Sequence, residues 1–501
     1  MNYSVVIYIL GWIMEIEAAF LALPGIVSAI YGEKGGFAFL WVALGSAVAG
    51  SAIILRKPKN MRFYLREGFV TVALSWILMS VIGCLPFVIN GDIPHFADAL
   101  FEMISGFTTT GATVVSDVEG LTKGSLFWRS FSHWIGGMGV LVFLLAIVPM
   151  AGGSHMNLMK AESPGPSVGK LVPKVRQTAK YLYIIYFALT MIEVIFLLFG
   201  GMNLFEAMTV VEIILLLISR MPVFDAITLS FGTAGTGGFA IWNDGFVSVS
   251  PYNQWVVTIF MLLFGVNFGF YFLILTGKLR DALKFEEVRI YFIIVIAAAV
   301  FIFINLRHFA LYAPAEGIRQ AFFQVASIIT TTGFASADFN LWPETSRTIL
   351  VLLMFIGACA GSTGGGIKVS RFIIACKSFI KEIISYLHPR SVKKIKIEGK
   401  PLEHETLRAT NVYFMTYMVI FAVSVLLVSI ENKDLVTNFA AVAATFNNIG
   451  PGLSLVGPMA NFGHFTDFTK YILMFDMLAG RLEIFPMMLL FCPAVWKRRR
   501  A

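Results

Sequence analysis

The chain has 501 residues, 57% of them hydrophobic and only 14% charged, with a mean hydropathy of +0.79. That balance excludes an ordinary soluble domain and identifies a polytopic membrane protein. The net charge of +8 sits in basic runs that flank apolar segments without interleaved aromatics, which argues against a nucleic-acid partner.

Taken in chain order, apolar stretches of spanning length fall at 3–31, 36–55, 68–90, 125–150, 180–220, 252–276, 287–306, 346–380, 408–430 and 468–496, ten in all. The first has no positive leader and no small-residue cleavage site near position 30, so it reads as a retained membrane helix rather than a signal peptide. Cys84, Cys359, Cys376 and Cys492 lie in or beside these stretches with no ligand spacing, which suggests neither disulfide framework nor zinc site. Of the 38 basic residues, 26 fall in alternate gaps, at 56–66, 154–180, 278–289, 377–408 and the KRRR end. The positive-inside rule makes those gaps, and both termini, cytoplasmic.

The opposite gaps share one design: a short semi-polar helix, a glycine-containing turn, and a polar lead into the next span. Asp98, Asp225, Gln320 and Thr437 each lie 13 residues before a glycine, respectively Gly111, Gly238, Gly333 and Gly450. The register predicts an all-α chain of four tandem repeats, each a span, pore helix, filter and span, around one pseudo-fourfold pore. Two leading spans at 1–60 precede the repeats, which occupy 61–160, 161–284, 285–400 and 401–501. The short helices cannot cross a bilayer and must re-enter, and irregular backbone at membrane depth has to line protein or water.

Four such turns can present backbone carbonyls to one axis, where they replace a cation's hydration shell. Glycine permits the strained backbone and threonine adds neutral oxygen ligands. The candidate filter comprises Thr109, Thr110 and Gly111, then Thr236, Gly237 and Gly238, then Thr331, Thr332 and Gly333, then Asn448, Ile449 and Gly450. Potassium is assigned to Thr110, Gly111, Gly238, Thr332, Gly333, Ile449 and Gly450. The turns carry no carboxylate that would favour a divalent ion, and K+ has the lower dehydration cost among monovalent candidates. In the second turn the adjacent Gly237 and Gly238 leave two registers open, of which the spacing selects Gly238.

The span at 346–383 is broken by IGACAGSTGGGIK, since glycines at this density cost about 1 kcal/mol each in a helix interior. GSTGGGIK lacks phosphate-loop spacing and follows no strand, so a nucleotide loop is dismissed. A break at membrane depth lines a cavity or receives a neighbouring helix. Arg481 in the last span faces the pore or forms a structural ion pair with Glu483 or another acid. Lys368 either positions the broken segment or approaches the cytoplasmic face. Glu15 and Glu17 read as packing or interfacial residues and His133 as a capping or packing residue; Asp92, Asp117, Asp244 and Asp338 near the outer mouth could raise local cation concentration, but solvated surface is the simpler reading for each.

The four turns, HWIGGMGVLVF at 133–143, GSTGGGIK at 361–368 and GRLEIF at 480–485 resemble the Trk/Ktr/HKT superfamily of potassium transporters, and within it the TrkH type. The resemblance covers nearly the whole chain. It implies a single-chain, K+-selective pore that takes up potassium, with glycine rather than serine at Gly111 favouring potassium. It also implies a gate made by Gly357, Gly361, Ser362, Thr363, Gly364, Gly365, Gly366 and Lys368 beneath the filter, with Arg481 as barrier. No cytoplasmic stretch is long enough for a nucleotide domain. The family pairs with a cytoplasmic NAD- or ATP-binding ring protein (TrkA-like), for which the basic linkers at 154–180 and 377–408 are docking candidates, and it forms homodimers. The expected location is the bacterial inner membrane. A carrier coupling K+ to H+ or Na+ is the alternative, suggested by the broken span. A membrane enzyme has no support, because no paired catalytic carboxylates, metal cluster or base-activated nucleophile are found. One feature fits no pattern: TVVEIILLLISR intervenes before the second pore helix, within 205–222.

Overall fold

The computed structural model describes residues 1–61, 63–139, 221–275, 277–388, 394–397 and 400–496. The expected span at 180–220, the basic linker at 154–180, most of the 205–222 insertion and the end of the 125–150 span lie outside the described residues.

Helices α1 (Tyr3–Ile30) and α2 (Gly36–Ile54) form a close hairpin that packs on α3 (Leu65–Asn90). Small residues permit the approach: a Cβ added at Gly36 would lie 2.6 Å from that of Ser28. Glu15 accepts from Ser51 Oγ at 2.6 Å and Glu17 is buried, so both pack against protein.

The first of the repeats predicted from sequence continues with α4 (Phe96–Phe107) and α5 (Lys123–Met138). The second shows α6 (Val223–Ala234), α7 (Pro251–Phe264) and α8 (Phe268–Leu275), followed by the short α9 (Leu279–Ala282). The third has α10 (Glu286–His308), α11 (Pro314–Ile329), α12 (Glu344–Met354) and α13 (Val369–Leu387). The fourth has α14 (His404–Val428), α15 (Leu435–Phe446), α16 (Asp467–Arg481), α17 (Phe485–Leu490) and α18 (Pro493–Trp496). A two-stranded antiparallel pair, Lys396–Ile397 with Lys400–Pro401, is a small departure from an all-helical chain.

Among the described residues, five helices are long and apolar enough to cross a membrane singly, which marks an integral membrane protein. Three predicted spans are not single helices. The 252–276 segment bends by 90° between α7 and α8. There the Asn267 side chain accepts from the Gly269 amide at 2.7 Å and competes with the helical ladder. The 346–380 segment is α12, an irregular stretch and α13, as its glycines require. The 468–496 segment breaks after Arg481, where Glu483 and Ile484 take positive φ (57° and 71°) just before Pro486.

The short helices α4, α6 and α15 have 12 residues and α11 has 16. Twelve residues reach about 18 Å, well under the roughly 30 Å hydrocarbon thickness. They are buried on most sides, which suits helices enclosed by protein.

Candidate functional site

Each short helix ends in the same way. Thr109 N donates to Gly106 O at 3.1 Å and Thr110 N to Ser105 O at 2.9 Å. The same two bonds recur as Thr236 to Thr233 (3.0 Å) and Gly237 to Gly232 (2.8 Å), and as Thr331 to Ile328 (3.1 Å) and Thr332 to Ser327 (2.9 Å). In the fourth unit they join Asn448 to Thr445 (3.1 Å) and Ile449 to Ala444 (2.8 Å). This is a Schellman end, whose left-handed residue is Thr109, Thr236, Thr331 or Asn448, with φ of 54°, 54°, 59° and 55°. Threonine there costs about 1–2 kcal/mol where glycine would cost almost nothing, a strain typical of functional backbone. Two residues on, Gly111, Gly238, Gly333 and Gly450 turn positive again at 76°, 77°, 86° and 94°. The repeated backbone places Gly238, not Gly237, in register with the other three glycines.

The turns close into a ring. A Cβ on Gly111 would fall 2.1 Å from the Gly237 carbonyl oxygen, and one on Gly238 1.9 Å from that of Thr332. One on Gly333 would fall 1.9 Å from the Ile449 oxygen, and one on Gly450 2.7 Å from the Thr110 oxygen. Each glycine thus meets the carbonyl preceding its counterpart in the next unit, and the fourth unit returns to the first. Thr110, Gly237, Thr332 and Ile449 are equivalent, so the potassium-facing set named from sequence lacks Gly237. Turn amides are engaged at the helix ends, and the four helices direct their partially negative C-termini at this ring, which favours a cation there. A cavity of about 130 Å³ opens over the four glycines.

The doubled glycine of the second turn has a physical cause. His133 is fully buried, its Nδ1 2.7 Å from Gly106 O and its Nε2 accepting from Phe239 N at 3.3 Å, which assigns the Nδ1–H tautomer. Its ring fills the space a side chain at Gly237 would need, since a Cβ there would lie 2.1 Å from the ring. The packing role expected for His133 therefore extends to hydrogen bonds that join α4 to the second turn.

Beneath the ring lies the irregular segment between α12 and α13. Gly357, Gly361 and Gly366 adopt positive φ of 75°, 71° and 73°. Gly365 N donates to Thr331 Oγ1 at 2.6 Å, and Cβ atoms on Gly364 and Gly365 would lie 2.8 Å from Thr330 O and 3.0 Å from Asn447 O. The segment is thus seated under turns three and four. Lys368, buried with φ 82°, donates to the Gly364 carbonyl and closes the segment on itself, away from solvent. Cys359 N donates to Gly265 O and Phe268 N to Gly361 O, both at 3.0 Å, which uses the bend between α7 and α8 as a seat. Ser362 Oγ bonds Cys359 O at 2.7 Å. Glu287, which sequence reading passed over, accepts from Ala360 N at 2.7 Å and Ser370 N at 3.0 Å, clamping both ends.

Arg481 donates to Thr363 O at 2.8 Å and Gly137 O at 3.0 Å, and also to the Gly136 carbonyl. It therefore ties the segment to α5 of the first unit. Glu483, the acid considered as its partner, is ion-paired with Arg371.

The four acids read as solvated outer surface are built into turns. Asp117 accepts from Asn243 Nδ2 at 2.9 Å and Gly120 N at 3.2 Å, and these bonds hold its carboxyl below the usual range. Asp92 accepts from Thr122 Oγ1 at 2.7 Å, Asp244 from Ser248 N at 3.0 Å and Asp338 from Asn340 N at 3.0 Å. Sequence reading also missed a buried pair, Glu102 with Arg129 (2.7 Å), although Glu102 stands one helical turn after the aligned Asp98.

Residues 37–498 match the TrkH family of cation transport proteins. Over 99% of its length the chain is 36% identical to the whole of the Trk system potassium uptake protein TrkH of Escherichia coli. It is 30% identical over 99% of its length to 99% of the Trk system potassium uptake protein TrkG of that species. The crystal structure of the potassium transporter TrkH from Vibrio parahaemolyticus superimposes with a TM-score of 0.85 at 32% identity, covering 99% of this chain and 100% of that one. A ring of four repeated turns over a broken helix, and these full-length similarities, have one reading: the chain belongs to the TrkH family of cation transport proteins, which are not enzymes.

Proposed function

We propose that this protein takes up potassium across the bacterial inner membrane through a filter formed by the turns ending at Gly111, Gly238, Gly333 and Gly450. The observation that carries the reading is the closed ring: four Schellman ends with matching left-handed positions, each glycine packed on its neighbour's carbonyl. Such a ring offers uncharged oxygens at a helix-dipole focus, the chemistry that substitutes for the hydration of a monovalent cation. The ion's oxygens come from Thr110, Gly111, Gly237, Gly238, Thr332, Gly333, Ile449 and Gly450. The residues around it form four repeats at 61–160, 161–284, 285–400 and 401–501 after the leading spans, ten crossings in all, with both termini cytoplasmic.

The segment from Gly357 to Lys368 is the gate, with Gly361, Ser362, Thr363, Gly364, Gly365 and Gly366 under the ring and Arg481 as its latch. Latching follows from its donation to carbonyls of two units, so that displacing the segment must break charge-assisted hydrogen bonds. Control comes from a separate cytoplasmic nucleotide-binding subunit, a TrkA-like ring docked on the basic linkers of a homodimer. One observation favours K+ uptake coupled to H+: Asp476 on α16 is fully buried, and its Oδ2 has no hydrogen-bond partner among the described residues.

The test is flux into proteoliposomes containing the purified protein under imposed K+, Na+ and pH gradients. Passive, K+-selective flux is expected. Equal Na+ flux would sink the filter assignment, and uphill K+ accumulation driven by a proton gradient would replace the channel reading with the coupled one.

A further inference from the structure

Beyond the ring itself, the turns need something to hold their outer exits, and the first and third units supply it at one register. Glu102 on α4 is fully buried; its Oε2 accepts from the Val114 amide at 3.0 Å, three residues after Gly111. Gln324 occupies the same place on α11, and with its amide suitably oriented its Oε1 accepts from the Ser336 amide at 2.9 Å, three residues after Gly333. The corresponding residues of the second and fourth units, Leu229 and Ala441, have no acceptor to offer. Here the first unit reaches across. Arg129, 2% exposed, holds Glu102 Oε1 through Nε (2.8 Å) and Nη2 (2.7 Å). Its guanidinium then stacks 4.1 Å over the Phe239 ring and donates to Ala240 O at 3.4 Å, in the two residues that follow Gly238. Thr113 Oγ1 completes the contact, bonding Glu102 at 2.9 Å.

We propose that Glu102 and Arg129 are positioning residues that brace the exits of the first two turns and set how strongly the pore rejects sodium. The inference rests on the filter reading above. A planar guanidinium between a carboxylate and an aromatic face fixes distance and orientation together, which a point charge on a flexible stem does not. Arg129 also lines the cavity above the ring, so Glu102 keeps that entrance from carrying a net positive charge.

The two roles separate by sign. Glu102→Gln leaves a cation at the entrance and Arg129→Gln leaves an anion, so the amplitude of K+ flux should fall in the first and rise in the second. If the pair braces the filter, both lose K+/Na+ preference, by about tenfold on the scale of a broken buried charge-assisted contact. Arg129→Lys keeps the charge but not the fork, and should still lose the preference. The readout is the ratio of K+ to Na+ flux in proteoliposomes, beside the wild-type protein. A wild-type ratio in both Gln variants, or its full rescue by Arg129→Lys, overturns the brace. Failure of the wild-type protein to prefer K+ would instead overturn the filter reading. Should both Gln variants fail to fold, Phe239→Leu, which spares the ion pair and removes the stacking face, decides: a lowered ratio supports the brace and an unchanged ratio overturns it.

Discussion

The ring of turns and the segment beneath it are adjacent, both glycine-rich and both irregular at membrane depth, yet they are held in opposite ways. The turns are fixed by local backbone bonds to the helix that precedes each of them, repeated four times with nearly the same φ values. The segment from Gly357 to Lys368 is held by unlike, distant partners: Glu287, Thr331, Gly265 and Arg481. A structure whose geometry is local persists as long as its helices do. One that depends on a few long-range side chains can be released by breaking them, which is what a gate requires.

The largest effect is expected from breaking the ring. Gly333→Ala drives a methyl group into the Ile449 carbonyl, 1.9 Å from the ideal Cβ, on a backbone with φ of 86° that alanine resists. The Ile449 backbone and the Pro451 ring, whose Cδ would lie 3.0 Å from that Cβ, leave little room to yield. K+ flux should fall on the order of a hundredfold, the scale of a misplacement of about 1 Å at a reacting centre. Isotope uptake in proteoliposomes measures it, and near-normal selective flux would show that the ring is not the filter.

The segment beneath the ring should break in the opposite direction. Arg481→Ala removes donors to Thr363, Gly136 and Gly137, and K+ flux should rise by about tenfold or more, since each charge-assisted bond is worth about 1.5–3 kcal/mol. Glu287→Gln weakens the clamp on Ala360 and Ser370 and should raise flux less. If both variants conduct like the wild-type protein, the segment is scaffold rather than gate.

How far each region could be read from sequence follows the same division. The turns were legible because their constraint is local: thirteen residues link a polar position in α4, α6, α11 or α15 to a glycine that only a left-handed backbone needs. The registers of TAGTGG and FNNIG followed although their letters differ. The glycine cost also foretold the break at 357–366, but not what holds it. Glu287 opens an ordinary span, and its partners lie 73 and 83 residues away, a relation with no periodicity. The bends at Asn267 and at Glu483 had signals, a glycine-asparagine cluster and a nearby proline, that hydropathy averaging concealed. Gly237 could not be explained from its own unit, because its cause, His133, belongs to the first.

That cross-unit contact sharpens the comparison, as it is a place where the ring borrows a distant side chain. Gly237→Ala should destabilise the protein by about 1–3 kcal/mol, the usual penalty for overpacking, because its methyl meets the His133 ring. His133→Ala makes room for that methyl group, so the double variant should lose less stability than the sum of the two single losses. Additive losses in thermal unfolding of detergent-solubilised protein would show that the ring of His133 is not what keeps position 237 a glycine.

The smallest effect concerns the most diverged copy. Three pore helices carry an acid in their first turn, Asp98, Asp225 and Glu316, and none of these three has a side-chain cap. In α15 the acid has moved outside the helix: Asp434 is the N-cap, accepting from Thr437 N at 3.0 Å and from Thr437 Oγ1. Either placement puts negative charge near the positive helix end. Thr437 can therefore stand where α4 and α6 have aspartate. The hydroxyl and amide of Thr437 hold the Asp434 carboxyl below its usual range. The cap's contribution is accordingly complete above the unfolded value of about 3.9 and is lost as pH falls through the lower folded value. Asp434→Ala should cost about 1 kcal/mol near neutrality. Its deficit in thermal unfolding relative to the wild-type protein should persist down to about pH 4 and shrink below it. A deficit that is constant down to the most acidic condition at which the protein still unfolds cooperatively would mean that the charge of Asp434 contributes nothing to the cap.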